Sequence, residues 1–205
     1  MTRSSGSPDD VALLGDVWSC WLRAGRRMPA AVWERASGLG DWTVRELYAH
    51  VARGVTTLAG LVAEPLPGGE PELADAASYF GTLMRRDAAA QVASAAREFA
   101  RTATGLVDHF DGPATTALAD ARDAGASVVP TVAGSMRLAD YVPTRVVEAT
   151  VHLLDLRAAV PEVDLPPRRA MSRTVDVLVD LMPAPDFIRL ATGRPNASAP
   201  FPVLT

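Results

Sequence analysis

Between Asp9 and Met28 apolar residues recur every three or four positions, at Val11, Leu14, Val17, Trp18, Trp21 and Leu22. That period places them on one face of a helix, and Pro8, Asp9 and Asp10 supply a start whose acids favour the positive end of the helix dipole. A second helix is predicted from Thr43 to about Val62. It opens on a capping box, in which the Thr43 hydroxyl takes the amide of Glu46 and the Glu46 carboxylate reaches back to the amide of Thr43. Between the two, PAAVWERASGLG reads as a connector with room for one helical turn, its Trp33 lying over the core. The segment EPLPGGEPE breaks the chain, and the Ala-rich residues 73–110 predict a third helix, with an interruption near Gly81. Pro143 reads as a first-turn proline, and residues 146–160 as a fourth helix closed by Pro161.

Residues 111–140 are richer in Gly, Pro, Ser and Thr, and the charge-free run AGASVVPTVAGSM fits either a loop or a short β-like excursion, so no element is assigned there. Pro166 and Pro167 begin a further helix, amphipathic through Val175, Leu178, Val179 and Met182. Two apolar stretches in the tail, residues 187–191 and 201–204, are spaced for a small hairpin or docked strands. The pattern predicts an all-α core, an up-and-down four-helix bundle over residues 1–165, with residues 166–205 as a C-terminal helix and extended tail packed on it.

A chain of 205 residues, 48% hydrophobic, has length for one domain with a sizeable core. A net charge of -4 and a pI near 5.4 disfavour a nucleic-acid partner. All 20 basic residues are Arg, a bias that suggests a GC-rich genome. Cys20 is the single cysteine, which excludes an intramolecular disulfide and fits a reducing compartment. The N-terminus lacks the apolar core of a signal peptide, and no apolar run is long enough to span a bilayer. The expectation is a cytoplasmic protein with no membrane partner, monomeric or homodimeric.

With three histidines, at 50, 109 and 152, few imidazole sites can be assembled. Glu148 and His152 stand four residues apart on the predicted fourth helix, so both side chains share one face. Arg145 and Asp155 extend that face into a polar line flanked by Val146, Val147, Val151, Leu153 and Leu154. His50 sits about two turns inside the second helix, with Arg53 three residues on. Two imidazoles and one carboxylate from neighbouring helices make three ligands with an open fourth position, the pattern of a catalytic zinc; nickel, iron and manganese also suit such donors. The competing reading of Glu148 and His152 is a self-satisfied surface pair. Glu46 precedes His50 by four, but the capping box already accounts for it. His109, before Gly112, reads as a structural or exposed residue at a helix end. Cys20 reads as a small buried hydrophobe; Trp18, Trp21, Trp33, Trp42 and Tyr141 are candidates for the walls of a site, with core as the simpler expectation for most of them. No Gly-x-Ser-x-Gly elbow and no phosphate-cradling glycine loop is present.

The segments GDWTVRELYAHV (residues 40–51) and RVVEATVHLLDL (residues 145–156) together resemble the mycothiol-dependent maleylpyruvate isomerase family of the DinB-like superfamily. The resemblance spans roughly residues 9–160, and the tail LATGR followed by FPVL looks like the ending of actinobacterial members. It implies a four-helix bundle in which His50, Glu148 and His152 hold a divalent metal, typically zinc. It also implies mycothiol as a thiol cosubstrate whose sulfur ionises at the open position. An activated thiolate supports reversible addition to a conjugated double bond, hence isomerisation, or displacement that leaves the thiol on a small electrophilic substrate. Arg145, Arg53 and Arg194 are candidates for binding carboxylates of thiol or substrate, since guanidinium pairs with them bidentately. Asp155 is a candidate to orient a ligand from behind. Two rivals stand beside this reading: a metal-dependent hydrolase of the same superfamily, and a non-enzymatic bundle that binds a metal or small molecule.

Overall fold

The computed structural model describes residues 8–86 and 89–194. Helix α1 (Pro8–Arg27) and helix α2 (Val44–Ala63) form where the apolar period places them, and a 3-10 turn at Ala30–Val32 lies in the connector. The α2 capping box is complete: the Glu46 amide donates to Thr43 Oγ1 at 3.2 Å and the Thr43 amide to Glu46 Oε2 at 2.8 Å. Two donors that a helix end leaves without intrahelical partners are thereby satisfied.

The third predicted helix is two. Helix α3 (Ala76–Arg85) contains Gly81 without interruption, and helix α4 (Ala89–Thr102) follows. Neither takes the third place in the bundle. That place belongs to helix α5 (Gly112–Asp123), inside the stretch to which the apolar pattern assigned no element. Its buried positions are Ala114, Ala117 and Ala121, which keep helical spacing but carry almost no hydrophobic signal; Pro113 occupies the first turn.

Strands β1 (Val128–Pro130) and β2 (Ser135–Arg137) pair antiparallel, Val129 opposite Met136, so the charge-free run is a short hairpin. It passes directly into helix α6 (Leu138–Ala159), which starts earlier than Pro143 suggested and leaves that proline inside the helix. The hairpin explains the early start. The amides of Leu138 and Ala139 donate to the carbonyls of Ser127 and Gly125 at 2.8 and 2.9 Å, so the first turn finds its acceptors in the preceding loop.

Helices α1 and α2 occupy opposite corners of the bundle, each packed against both α5 and α6. Trp21 of α1 meets Tyr48 of α2 edge-on at 5.2 Å, and both rings pack on Phe110. The Tyr48 hydroxyl donates to the Trp21 carbonyl at 3.0 Å, and the Trp21 indole donates to the Ala149 carbonyl, also at 3.0 Å. Each of these large rings contributes roughly 2–3 kcal/mol through burial, and their polar tips are satisfied.

Outside this core, α4 lies along α2, and helix α7 (Arg168–Asp180) packs on α6 and α1. The buried face of α7 is Ala170, Thr174 and Val177, whereas Val175, expected inside, is half exposed. Helix α8 (Ala184–Ala191) replaces the first strand of the expected tail hairpin; Pro183 and Pro185 set its start, and it docks on α7. The second stretch, residues 201–204, lies outside the described residues. No helix of the described residues is long and apolar enough to cross a membrane.

Candidate metal centre

The capping box sets where α2 begins, and two turns later His50 emerges toward α6. Its ring is flanked by the edge of Trp42 at 5.4 Å, and only 9% of its side chain is exposed. On α6, Glu148 and His152 share a face by their four-residue spacing. The two helices bring the three residues together: His50 Nε2 stands 3.0 Å from Glu148 Oε2, and His152 Nε2 stands 3.7 Å from the same oxygen. The rings of His50 and His152 meet edge to face at 4.9 Å.

Asp155 lies behind His152, its Oδ2 accepting from Nδ1 at 2.9 Å. That bond turns the Nε2 of His152 toward Glu148. Asp155 thus stands behind His152, the position in which it could orient that imidazole.

Burial works to raise the Glu148 carboxyl, but hydrogen bonds from His152 and His50 and the charge of Arg145 outweigh it and hold the group well below the ordinary carboxylate range. Burial lowers His50, more than Glu148 raises it. Burial also opposes charge on His152, yet the carboxylates of Asp155 and Glu148 hold it up at about 9. At neutral pH the group is therefore an anion between one neutral and one charged imidazole.

The donor set fits a divalent metal. One atom from each of His50, Glu148 and His152 lies within 4.8 Å of the others, and two imidazole nitrogens with one carboxylate oxygen suit zinc and several first-row ions. The aspartate behind a histidine is the usual support for a ligating imidazole. A small cavity of about 10 Å³ opens on the group between Trp18, Gly54 and Arg145, close to the volume one water-sized sphere needs.

The other predicted residues divide. Arg145 borders this cavity, with its Cζ 4.9 Å from the Tyr141 ring and 5.7 Å from that of Tyr79. Arg53 follows His50 on α2, and its Nε is buried without a hydrogen-bond partner. Arg194 is exposed after α8 and joins none of the contacts that assemble the group. Glu46 serves the cap, as its position predicted, and also pairs with Arg97. His109 packs on Phe99, and Cys20 is buried, where desolvation pushes its thiol up despite the Arg23 guanidinium at 3.1 Å.

Trp42 and Trp18, candidates for the site wall as well as for the core, border the group, whereas Gly54 and Tyr79 carried no flag in the sequence. The glycine was detectable in principle: it stands one turn after His50, inside a helix where Gly is disfavoured.

Fold and site together define a helical bundle with a His–Glu–His group, able to hold a metal ion, set between two of its helices. The match to known families runs from inside α1 to the last turn of α6 and contains all three residues of that group. Residues 14–157 match the mycothiol maleylpyruvate isomerase N-terminal domain, and the chain belongs to that family. No curated protein and no solved structure matches it.

Proposed function

We propose that the protein is a divalent-metal-dependent enzyme that uses mycothiol to isomerise a small electrophile or to transfer the thiol to it. The observation that carries this reading is the convergence of His50, Glu148 and His152, with Asp155 behind the last of them, in a family linked to mycothiol. His50, Glu148 and His152 would be the ligands, and zinc is the metal their chemistry favours. A bound dication would favour the ionised form of a thiol and polarise a carbonyl oxygen.

The chain's own residues prepare that chemistry. Glu148 is held ionised and ready to donate an electron pair, and His50 is held neutral by burial, so its Nε2 would act as a ligand once the proton it gives to Glu148 has moved to Nδ1. His152 must release its proton before Nε2 can act as a ligand, and Asp155 keeps the ring oriented while it does so. Trp42 and Trp18 shield the group from bulk water. An ionised thiol then has two outcomes: addition to a conjugated double bond, rotation and elimination, or displacement of a leaving group with the sulfur retained on the electrophile.

Elemental analysis of the purified protein beside His50→Ala, Glu148→Ala and His152→Ala tests the reading. About one zinc per chain is expected in the wild type and a large loss in every variant. A wild type that takes up no zinc on loading, or a His152→Ala variant that keeps a full complement, overturns the assignment. Turnover of activated electrophiles should require the thiol; hydrolysis without it would favour the hydrolase alternative.

A further inference from the structure

A second and larger cavity, of about 540 Å³, is lined from the residue after α1, the connector, the first turn of α2 and the segment that follows α4. It shares no lining residue with the small cavity at the His–Glu–His group. Met28, Trp33, Leu106 and Val107 make its wall apolar, and two charged side chains, Arg45 and Asp108, border it. Apolar contact with a few placed polar groups is the composition of a pocket for a small ligand, and the volume is of that size.

Both charges are placed by the local fold. The Arg45 amide donates to the Trp33 carbonyl at 2.9 Å, its Cζ lies 5.5 Å from the centre of the Trp33 ring, and its Nε donates to Glu34 at 2.8 Å. Trp33 is itself braced by the Tyr48 ring at 4.9 Å. The terminal nitrogens of the Arg45 guanidinium make no hydrogen bond among the described residues, which leaves the end of the fork to a carboxylate. Asp108 opens a 3-10 turn (Asp108–Phe110), and its amide donates to the Gly105 carbonyl at 2.8 Å. Gly105 is left-handed, at φ +64°, and a Cβ on it would collide with Oδ2 of Asp108. Glycine therefore permits the turn and the position of the carboxylate together. Among the described residues Asp108 forms no ion pair, and Arg26 pairs with Asp111 instead.

We propose that this cavity binds a zwitterion with an apolar body, namely an amino acid with a large apolar side chain. Its carboxylate docks on Arg45, its ammonium on Asp108, and its side chain against Trp33, Met28 and Leu106. The argument is charge complementarity: a ligand with one charge covers the second protein group and takes it from water unpaired, whereas a ligand with both charges pairs both. The inference goes beyond the proposed function and does not rest on it, because the cavity uses none of the metal-centre residues.

Titration of the isotope-labelled full chain with phenylalanine, phenethylamine and hydrocinnamate, followed by nuclear magnetic resonance of amide and indole groups, tests the site. The two analogues lack the carboxylate and the ammonium respectively. Phenylalanine is expected to shift the Trp33 indole and the amides of Gly105 and Asp108 saturably, to the same extent in chelator-treated and zinc-loaded protein. It should bind about three- to fivefold more tightly than either analogue, the increment of a partly exposed ion pair. Arg45→Gln should erase the advantage over phenethylamine and keep that over hydrocinnamate, and Asp108→Asn should do the reverse. Both side chains reach solvent, so neither variant threatens the core. No saturable shift at these positions, shifts centred on His50, Glu148 and His152, or equal affinity for the three ligands overturns the proposal.

Discussion

The Nε2 of His50 lies 3.0 Å from Oε2 of Glu148, although the two residues stand 98 positions apart in the chain. Glu148 is ionised and accepts, so His50 donates through Nε2, and its Nδ1 is left buried without a partner. His152 faces the same carboxylate oxygen at 3.7 Å, and Asp155 already holds that second imidazole in place, so three donor groups converge on one point.

Asp155 acts on the site only through His152, and its removal should separate orientation from ligation. Asp155→Asn keeps the shape but removes the charge facing Nδ1. Zinc affinity, measured by competition with a chromogenic chelator, is expected to fall by about 10–100-fold without loss of stoichiometry at saturation. Affinity equal to that of the wild type would show that Asp155 is only a surface partner of the imidazole.

Gly25 on α1 lies directly against the Tyr48 side chain of α2. A Cβ there would stand 2.4 Å from the Tyr48 hydroxyl and 2.8 Å from a methyl of Val107. Gly25→Ala normally strengthens a helix, but here it must displace a buried phenol that donates to the Trp21 carbonyl. The expected outcome is a net loss of about 1–3 kcal/mol in urea denaturation, as for other overpacked cores. A stabilised Gly25→Ala protein would contradict this packing.

The capping box has a measurable weight as well. Thr43→Ala removes the hydroxyl that accepts from the Glu46 amide, and about 1 kcal/mol of stability should go with it. Because α2 carries His50, the variant should also loosen zinc at elevated temperature before the global transition. Hydrogen exchange at the first turn of α2 would show the fraying directly.

Two buried phenols set the alkaline limit of stability. Burial pushes Tyr141 up to about 12, and burial likewise raises Tyr48 far above its ordinary value. In the unfolded chain both titrate near 10. Since the folded values are raised, the stability that the neutral phenols supply is complete below about pH 10 and is lost as the pH climbs from 10 through 12. The sequence contains no lysine to titrate in that interval. The urea midpoint should therefore decline steeply there, and Tyr48→Phe should flatten the decline. A midpoint independent of pH between 10 and 12 would contradict the burial of these hydroxyls.

Local chemistry wrote much of this protein into its sequence. The apolar period of α1 and α2, the Thr43–Glu46 cap and the spacing of Glu148, His152 and Asp155 all depend on neighbours within one or two helical turns, and all are present in the structure. The place of His50 about two turns inside α2 suggested a facing imidazole, and the resemblance named the same three residues. Tertiary packing decided the rest. An alanine-faced helix such as α5 has no apolar signature of its own and earns its place only because α1 and α2 leave a groove that small side chains fill. The early start of α6 depends on carbonyls of the preceding loop, at Ser127 and Gly125. The meeting of His50 with Glu148 depends on how α2 packs against α6, and no local pattern records a contact between residues 98 positions apart.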